Sequence, residues 1–202
     1  MKLLLLLTLI LAPFTLSYTQ ENQSTLTRLA NISNQPDVLA KVTEIFIHDE
    51  KRFSNCTEFS RPEPRKITVF NEPKFSIEFL EEGIWQIRYD VTVCQQNRRR
   101  TALFQVKNGE NLSIISLLPG DTLADMNLQA DTRRSLFLSG AKLAPNCKTP
   151  FVTQTQVTQR PQTPNDAWQE IWTADFCNKK IAQTIDFTPN SDGTSFSMAV
   201  LP

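Results

Sequence analysis

The chain has 202 residues, with 21 basic against 21 acidic side chains, one histidine, four cysteines, five glycines and twelve prolines. Such a neutral balance gives no global argument for nucleic acid or an acidic surface as partner. His48 alone must serve any Ser-His-Asp, Cys-His or zinc arrangement, and five glycines leave no P-loop or G-x-G-x-x-G fingerprint.

Lys2 is the only charge before Glu21, and Leu3 to Ala12 is an almost pure aliphatic run followed by Pro13. This is the pattern of a secretory leader, too short to span a bilayer, with Thr15 and Ser17 as small residues before a cut. Residues 1–17 are therefore expected to be a signal peptide and 18–34 a polar N-terminal segment. The cut leaves about 185 residues and no later apolar run of membrane-spanning length. The expected location is periplasmic or extracellular. Four cysteines in an exported chain read as two disulfides.

The rest of the chain repeats itself. With Cys94 placed on Cys177, Trp85-Gln86 falls on Trp168-Gln169, Thr101 on Thr184 and Phe104 on Phe187. One gap brings Leu112-Ser113-Ile114 onto Phe196-Ser197-Met198. With Cys56 placed on Cys147, Asn55 meets Asn146, Lys51 meets Lys142, and Ile45-Phe46-Ile47 meets Leu136-Phe137-Leu138. Self-similarity in one order over about 80 residues is the mark of a duplicated unit. We expect repeat 1 over 35–118 and repeat 2 over 119–202. The pairing then falls within each unit, Cys56–Cys94 and Cys147–Cys177, each worth ~3–4 kcal/mol in the chain-entropy picture.

In chain order, Pro36-Asp37 open a helix whose apolar stripe is Leu39, Val42, Ile45, Phe46 and Phe53, with Asp49 in the same row. Lys66 to Phe70 reads as a strand. Trp85, Ile87, Tyr89, Val91 and Val93 then alternate with Gln86, Arg88, Asp90 and Thr92, a period of two with one apolar face. Strands follow over Thr101–Val106 and Leu112–Leu118. Asp121 is the candidate cap before a second helix, Leu128 to Leu143. Strands recur at Phe151–Val157, Trp168–Cys177, Ile181–Phe187 and Ser195–Leu201, and Glu170 breaks the apolar face of the second Trp strand. On each Trp strand the cysteine falls on the face opposite the apolar one. The fold class is α+β: two tandem units, each a helix on an antiparallel sheet of about four strands, stapled by one disulfide.

Few residues offer chemistry. His48 reads as an exposed helix residue, with Ser139 as its counterpart. The acidic pairs Glu81-Glu82 and Asp49-Glu50 point apart on a strand or turn and read as surface. Arg98, Arg99 and Arg100 follow Cys94, as Lys179 and Lys180 follow Cys177, so both units carry a basic hairpin tip. This is either a twin anion site or a charged turn that protects a strand edge. Trp85, Trp168 and Trp172 sit on the alternating apolar face and read as core rather than a sugar platform. The loop Gln159 to Asp166 is polar and Pro-rich, a recognition loop or a plain connection. Asn22, Asn31, Asn55 and Asn111 begin N-x-S/T sequons.

The stretch Trp168-Gln-Glu-Ile-Trp-Thr-Ala-Asp-Phe-Cys177, with Phe187-Thr-Pro189 and Gly193-Thr-Ser-Phe196, resembles exported bacterial proteins of no assigned activity. Asn178 stands where their pattern has Gly. The resemblance implies a bacterial envelope or secreted location. The function expected is that of a non-enzymatic exported binding or structural protein. It needs no cofactor and no metal, and its partner, if any, is another envelope or secreted protein. Two alternatives stand beside it. One is an inhibitor or immunity-type protein docking on a secreted enzyme, motivated by the long stretches before Trp85 and Trp168. The other is a hydrolase using carboxylates alone.

Overall fold

The computed structural model describes residues 17–53, 58–76 and 79–199, so the signal peptide (Ser17 apart) and Cys56 lie outside the described residues. The elements run α1 (Ser17–Ser33), α2 (Pro36–Phe53), β1 (Glu63–Phe75), β2 (Leu80–Val93), β3 (Gln96–Val106), β4 (Ser113–Ser116), α3 (Met126–Ala141), β5 (Phe151–Gln159), β6 (Trp168–Phe176), β7 (Lys179–Asn190) and β8 (Gly193–Met198). Two antiparallel sheets form, in the orders β1-β2-β3-β4 and β5-β6-β7-β8. The fold is α+β, with two similar four-stranded units. Among the described residues, no helix is long and apolar enough to cross a membrane.

Two-residue turns set the register. Cys94 and Gln95 have φ of 44° and 65°, and Cys177 and Asn178 have φ of 55° and 77°. Both hairpins thus turn through consecutive left-handed residues, whose twist matches that of the strands they join. Asn tolerates this conformation, and Asn178 holds the second turn position without a glycine. Register then places Trp85 opposite Phe104 and Trp168 opposite Phe187. The rings stack in both units, 5.2 Å apart and 10° from parallel in the first, 4.9 Å and 14° in the second.

Each core is a helix laid on the apolar sheet face. Val38, Leu39, Val42 and Phe46 of α2 are buried on Trp85, Ile87, Tyr89 and Val91, and α3 buries Leu136 on Trp172, Ala174 and Phe176. The helices match by burial: Val38, Leu39, Val42, Phe46 and Glu50 repeat as Leu128, Gln129, Thr132, Leu136 and Gly140. This is one residue off the alignment taken from the cysteines, so His48 matches Leu138 rather than Ser139. The last strands shift too. Phe104 pairs with Ile114 and Phe187 with Phe196, so Ile114 is the counterpart of Phe196, not of Met198.

The polar segment 18–34 is helical and feeds the first core. Leu29 of α1 is fully buried, and the Ser33 hydroxyl accepts from the Trp85 indole at 3.1 Å. Arg28 lies over the Phe75 ring at 3.7 Å. The second unit meets the same demand with Glu170, which is fully buried on the core face of β6. Its Oε1 accepts from Trp168 Nε1 (2.9 Å) and Leu123 N (2.7 Å), and its Oε2 from Trp172 Nε1 (2.7 Å). The break in the apolar alternation is thus the acceptor for two indoles, since a buried indole N–H needs a partner.

Cys147 and Cys177 are bonded, with Cα atoms 5.5 Å apart, and Cys94 is also disulfide-bonded. Cys94 and Cys177 occupy exposed hairpin turns, outside the strand alternation. The expectation that they sit on the sheet face opposite the apolar one therefore fails. From the turn, Cys177 reaches Cys147 in the loop that leaves α3 on the core side. Asp125, not Asp121, caps α3, its carboxylate accepting from Leu128 N at 2.9 Å.

The two sheets meet along residues 117–122. Leu117 N and Gly120 N donate to Thr101 O and Arg99 O of β3. Thr155 N of β5 donates to Pro119 O and Asp121 N to Thr155 O, each at 2.9 Å. Thr155 Oγ1 donates to Pro119 O and accepts from Thr122 N. The segment thus lies between β3 and β5 and bonds to both. Gly120, at φ 102°, is required here, because a Cβ would strike the Thr155 backbone.

Gly140 is required for a different reason: it packs its bare Cα face on the Phe176 ring. Gly140→Ala raises helix propensity by about 1 kcal/mol yet drives a methyl into that ring. We expect a net loss of about 1–3 kcal/mol in urea unfolding. A gain would show that the ring gives way freely.

Candidate functional site

The basic triplet is not a hairpin tip. The turn is only Cys94-Gln95, and Arg98, Arg99 and Arg100 lie inside β3, opposite Val91, Asp90 and Tyr89. The pleat sends them apart. Arg100 turns inward and is buried in an ion pair with Glu50 of α2. Burial pushes its guanidinium down to about 10, with the charge of Asp49 acting against that shift. Arg99 turns outward. Arg98 is half-buried, its Nη2 donating to Gln96 Oε1 at 2.6 Å while its buried Nε has no hydrogen-bond partner.

Nor are the two basic clusters equivalent. Lys179 and Lys180 open β7 and match Gln96 and Asn97, the counterparts of Arg99 and Arg100 being Ala182 and Gln183. Both lysines are exposed, Lys179 donating to Leu143 O at 3.3 Å, and neither lines the cleft that Arg98 and Arg99 help to form.

That cleft has a volume of about 550 Å³ and lies where the first sheet meets residues 119–121 and β5. An arginine-carboxylate network surrounds it. Arg65 Nε is 2.7 Å from Asp90 Oδ2 and its Nη2 is 3.0 Å from Glu63. Arg99 Nε is 3.6 Å from Asp90 Oδ1, and its Nη1 is 2.5 Å from Asp121 Oδ2. Asp121 also faces Arg88 Nη1 at 3.0 Å and Arg160 Nη2 at 3.5 Å. Three guanidiniums thus converge on one carboxylate. Arg65, Arg88, Arg99 and Arg160 face Glu63, Asp90 and Asp121, leaving an excess of one positive charge. Thr92, Asn97, Thr153, Gln154 and Gln156 supply uncharged hydrogen-bonding groups to the lining.

Arg88 and Asp90 were visible in the sequence as the polar positions of the Trp strand. Arg160 was marked only by its place in the loop Gln159 to Asp166, and Arg65 and Asp121 carry no local signal as site residues, because strand pairing and the seam bring them in from separate segments.

The other candidates stay dispersed. His48 is exposed, 3.7 Å from the carboxylate of its neighbour Asp49. Glu82 pairs with Lys74 at 2.6 Å, which holds the lysine above its usual range, while Glu81 points to solvent. Trp85, Trp168 and Trp172 belong to the cores. The stretch before Trp85 is a paired ribbon, with Lys74 opposite Glu82 and Phe75 opposite Leu80, rather than a long loop. Among the described residues, no group of three or more His, Cys, Asp or Glu could hold a metal ion.

The loop after Gln159 is braced. The Asp166 carboxylate accepts from Thr163 N (2.7 Å) and Gln162 N (3.1 Å). These bonds hold its pKa below the ordinary carboxylate range, with the bond from Thr163 the largest cause. A depressed carboxylate pKa stabilises the loop above the unfolded value near ~3.9 and stops doing so as pH falls through the folded one. Amide-exchange protection at Gln162 and Thr163 should therefore be full near neutrality and fade in acid. It should be absent at every pH in Asp166→Ala, and protection that survives in that variant would refute the assignment. No family model, curated protein or solved structure matches the chain.

Proposed function

We propose that the protein is an exported, non-enzymatic binding protein of the bacterial envelope or its surroundings, and that its ligand site is the arginine cleft at the seam. The observation that carries this reading is the divergence between the two copies. Their cores keep the same Trp–Phe stack and the same helix spacing. Where the first unit has Arg88, Asp90 and Arg99, the second has Ile171, Thr173 and Ala182. A charge cluster absent from one copy is not a requirement of the scaffold. Buried area or packing does not explain it, since Arg65, Arg99 and Arg160 are about half exposed.

The carboxylates support the non-enzymatic half. Glu170 is saturated by three N–H donors, and Glu50, Glu82, Asp90 and Asp121 each face a cation. A general acid or base needs a carboxylate open to substrate with its proton affinity tuned. The leader-like residues 1–17 and the Cys147–Cys177 disulfide support export. By duplication, the first unit carries the matching staple Cys56–Cys94.

Two experiments test this reading. Non-reducing peptide mapping of protein taken from its native compartment should return Cys56–Cys94 with Cys147–Cys177 and an N-terminus near Tyr18. Free thiols, or an intact Met1 start, would refute export. The second is equilibrium dialysis against the small-molecule fraction of an envelope extract, read by mass spectrometry. Wild type should retain a compound that Gln154→Trp does not, because the indole fills the cleft from an exposed position. Nothing retained, or equal retention by both proteins, would remove the cleft as the ligand site.

A further inference from the structure

Resting on that reading, we infer that the seam cleft takes a tetrahedral oxyanion, a phosphate or sulfate group, which replaces the Asp121 carboxylate between Arg88, Arg99 and Arg160. Asp121 is then a built-in competitor that sets the affinity.

The argument begins with how badly a planar carboxylate serves three guanidiniums. Asp121 has two oxygens for cations arriving from three segments, β2, β3 and the loop after β5. Oδ2 is shared, with Arg99 Nη1 at 2.5 Å and Arg160 Nη2 left at 3.5 Å. Oδ1 lies 3.0 Å from Arg88 Nη1, yet it is buried and makes no hydrogen bond. Of the three contacts, only that from Arg99 is a hydrogen bond. A group with three or four oxygens spread tetrahedrally gives each guanidinium its own acceptor.

The surroundings agree. Arg160 and Arg99 are 60% and 49% exposed, so an anion can reach them from solvent. Among the described residues, the lining holds Thr92, Asn97, Thr153, Gln154 and Gln156 but no aromatic ring, which suits a polar remainder hydrogen-bonded at its edges rather than a stacked one.

The test is calorimetric titration of the mature protein at low ionic strength, where screening is weakest. Inorganic phosphate, sulfate, glycerol phosphate, acetate and chloride are the probes. Phosphate and sulfate should bind at least about tenfold more tightly than acetate or chloride. Asp121→Asn should tighten phosphate about tenfold by removing the competing charge, and Arg99→Ala should weaken it by as much. Arg160→Ala changes only an exposed side chain, so it checks the same loss in a protein whose folding is not in question. Preference for glycerol phosphate over inorganic phosphate would identify a phosphomonoester as the source, and the reverse order the free ion. No preference for phosphate and sulfate over acetate and chloride, no tightening in a folded Asp121→Asn, or full binding in Arg160→Ala would overturn the inference. If the oxyanions fail while Gln154→Trp still abolishes retention of an extract compound, only the ligand class is wrong. If both fail, the cleft is no ligand site.

Discussion

Everything in this molecule depends on the register of two hairpins, and each register is fixed by two left-handed residues. Side chains alternate along a strand, so a slip of one residue would carry every apolar side chain of β2 or β6 to the wrong face. The turns at Cys94-Gln95 and Cys177-Asn178 prevent the slip. They place tryptophan against phenylalanine in both cores. The same register puts Arg100 opposite Tyr89, facing inward, and Arg99 opposite Asp90, facing outward. Core and candidate site are therefore two faces of one constraint.

The copies show which parts of the unit are negotiable. A buried indole must find an acceptor: Trp85 uses a serine from α1, while Trp168 and Trp172 share Glu170. The space at the end of the helix is filled in two ways as well. In the first unit Glu50 reaches Arg100 there. In the second, Gly140 leaves room for the Phe176 ring, and Gln183 stands where the arginine was, donating to Ala199 O. A charged solution and an aromatic one are both compatible with the same backbone. The Trp–Phe stack, by contrast, has no substitute in either copy, and such a pair adds about 0.5–1.5 kcal/mol beyond its buried area.

What the sequence made legible was what is local and periodic. The Trp strands announced themselves by strict alternation, and the duplication by equal Trp-to-Cys spacing. Three kinds of feature did not. Strand ends were drawn too short: Arg98 to Arg100 looks like a solvated turn by composition, but a two-residue turn leaves all three inside β3. The helix α1 was hidden because, among its described side chains, only Leu29 and Ser33 are buried. The helix alignment was one residue out because it was anchored on Cys56 and Cys147, which follow the helices in sequence, whereas burial follows the helix itself. Of the site, Arg99 was singled out from sequence. Asp121 was read as a helix cap, since an acid ahead of a helix fits that role, and only the seam reveals its three arginines.

The seam is a reasonable place for new chemistry in a duplicated protein. Inside each unit, every position on the core face is committed to the helix above it, and a charge placed there must be paired or neutralised. The outer face of β2 and β3 has no such obligation, but a flat sheet face binds little. Joining two units creates a concavity without disturbing either core. The walls come from β3 and β5, and the floor from a backbone segment held by hydrogen bonds on both sides. Because those bonds run through Pro119, Gly120 and Thr155, the side chain of Asp121 is not needed to hold the sheets together. Its carboxylate is free to serve charge balance alone. The arrangement that links the two units therefore leaves one acid among three arginines whose removal or displacement the backbone can tolerate.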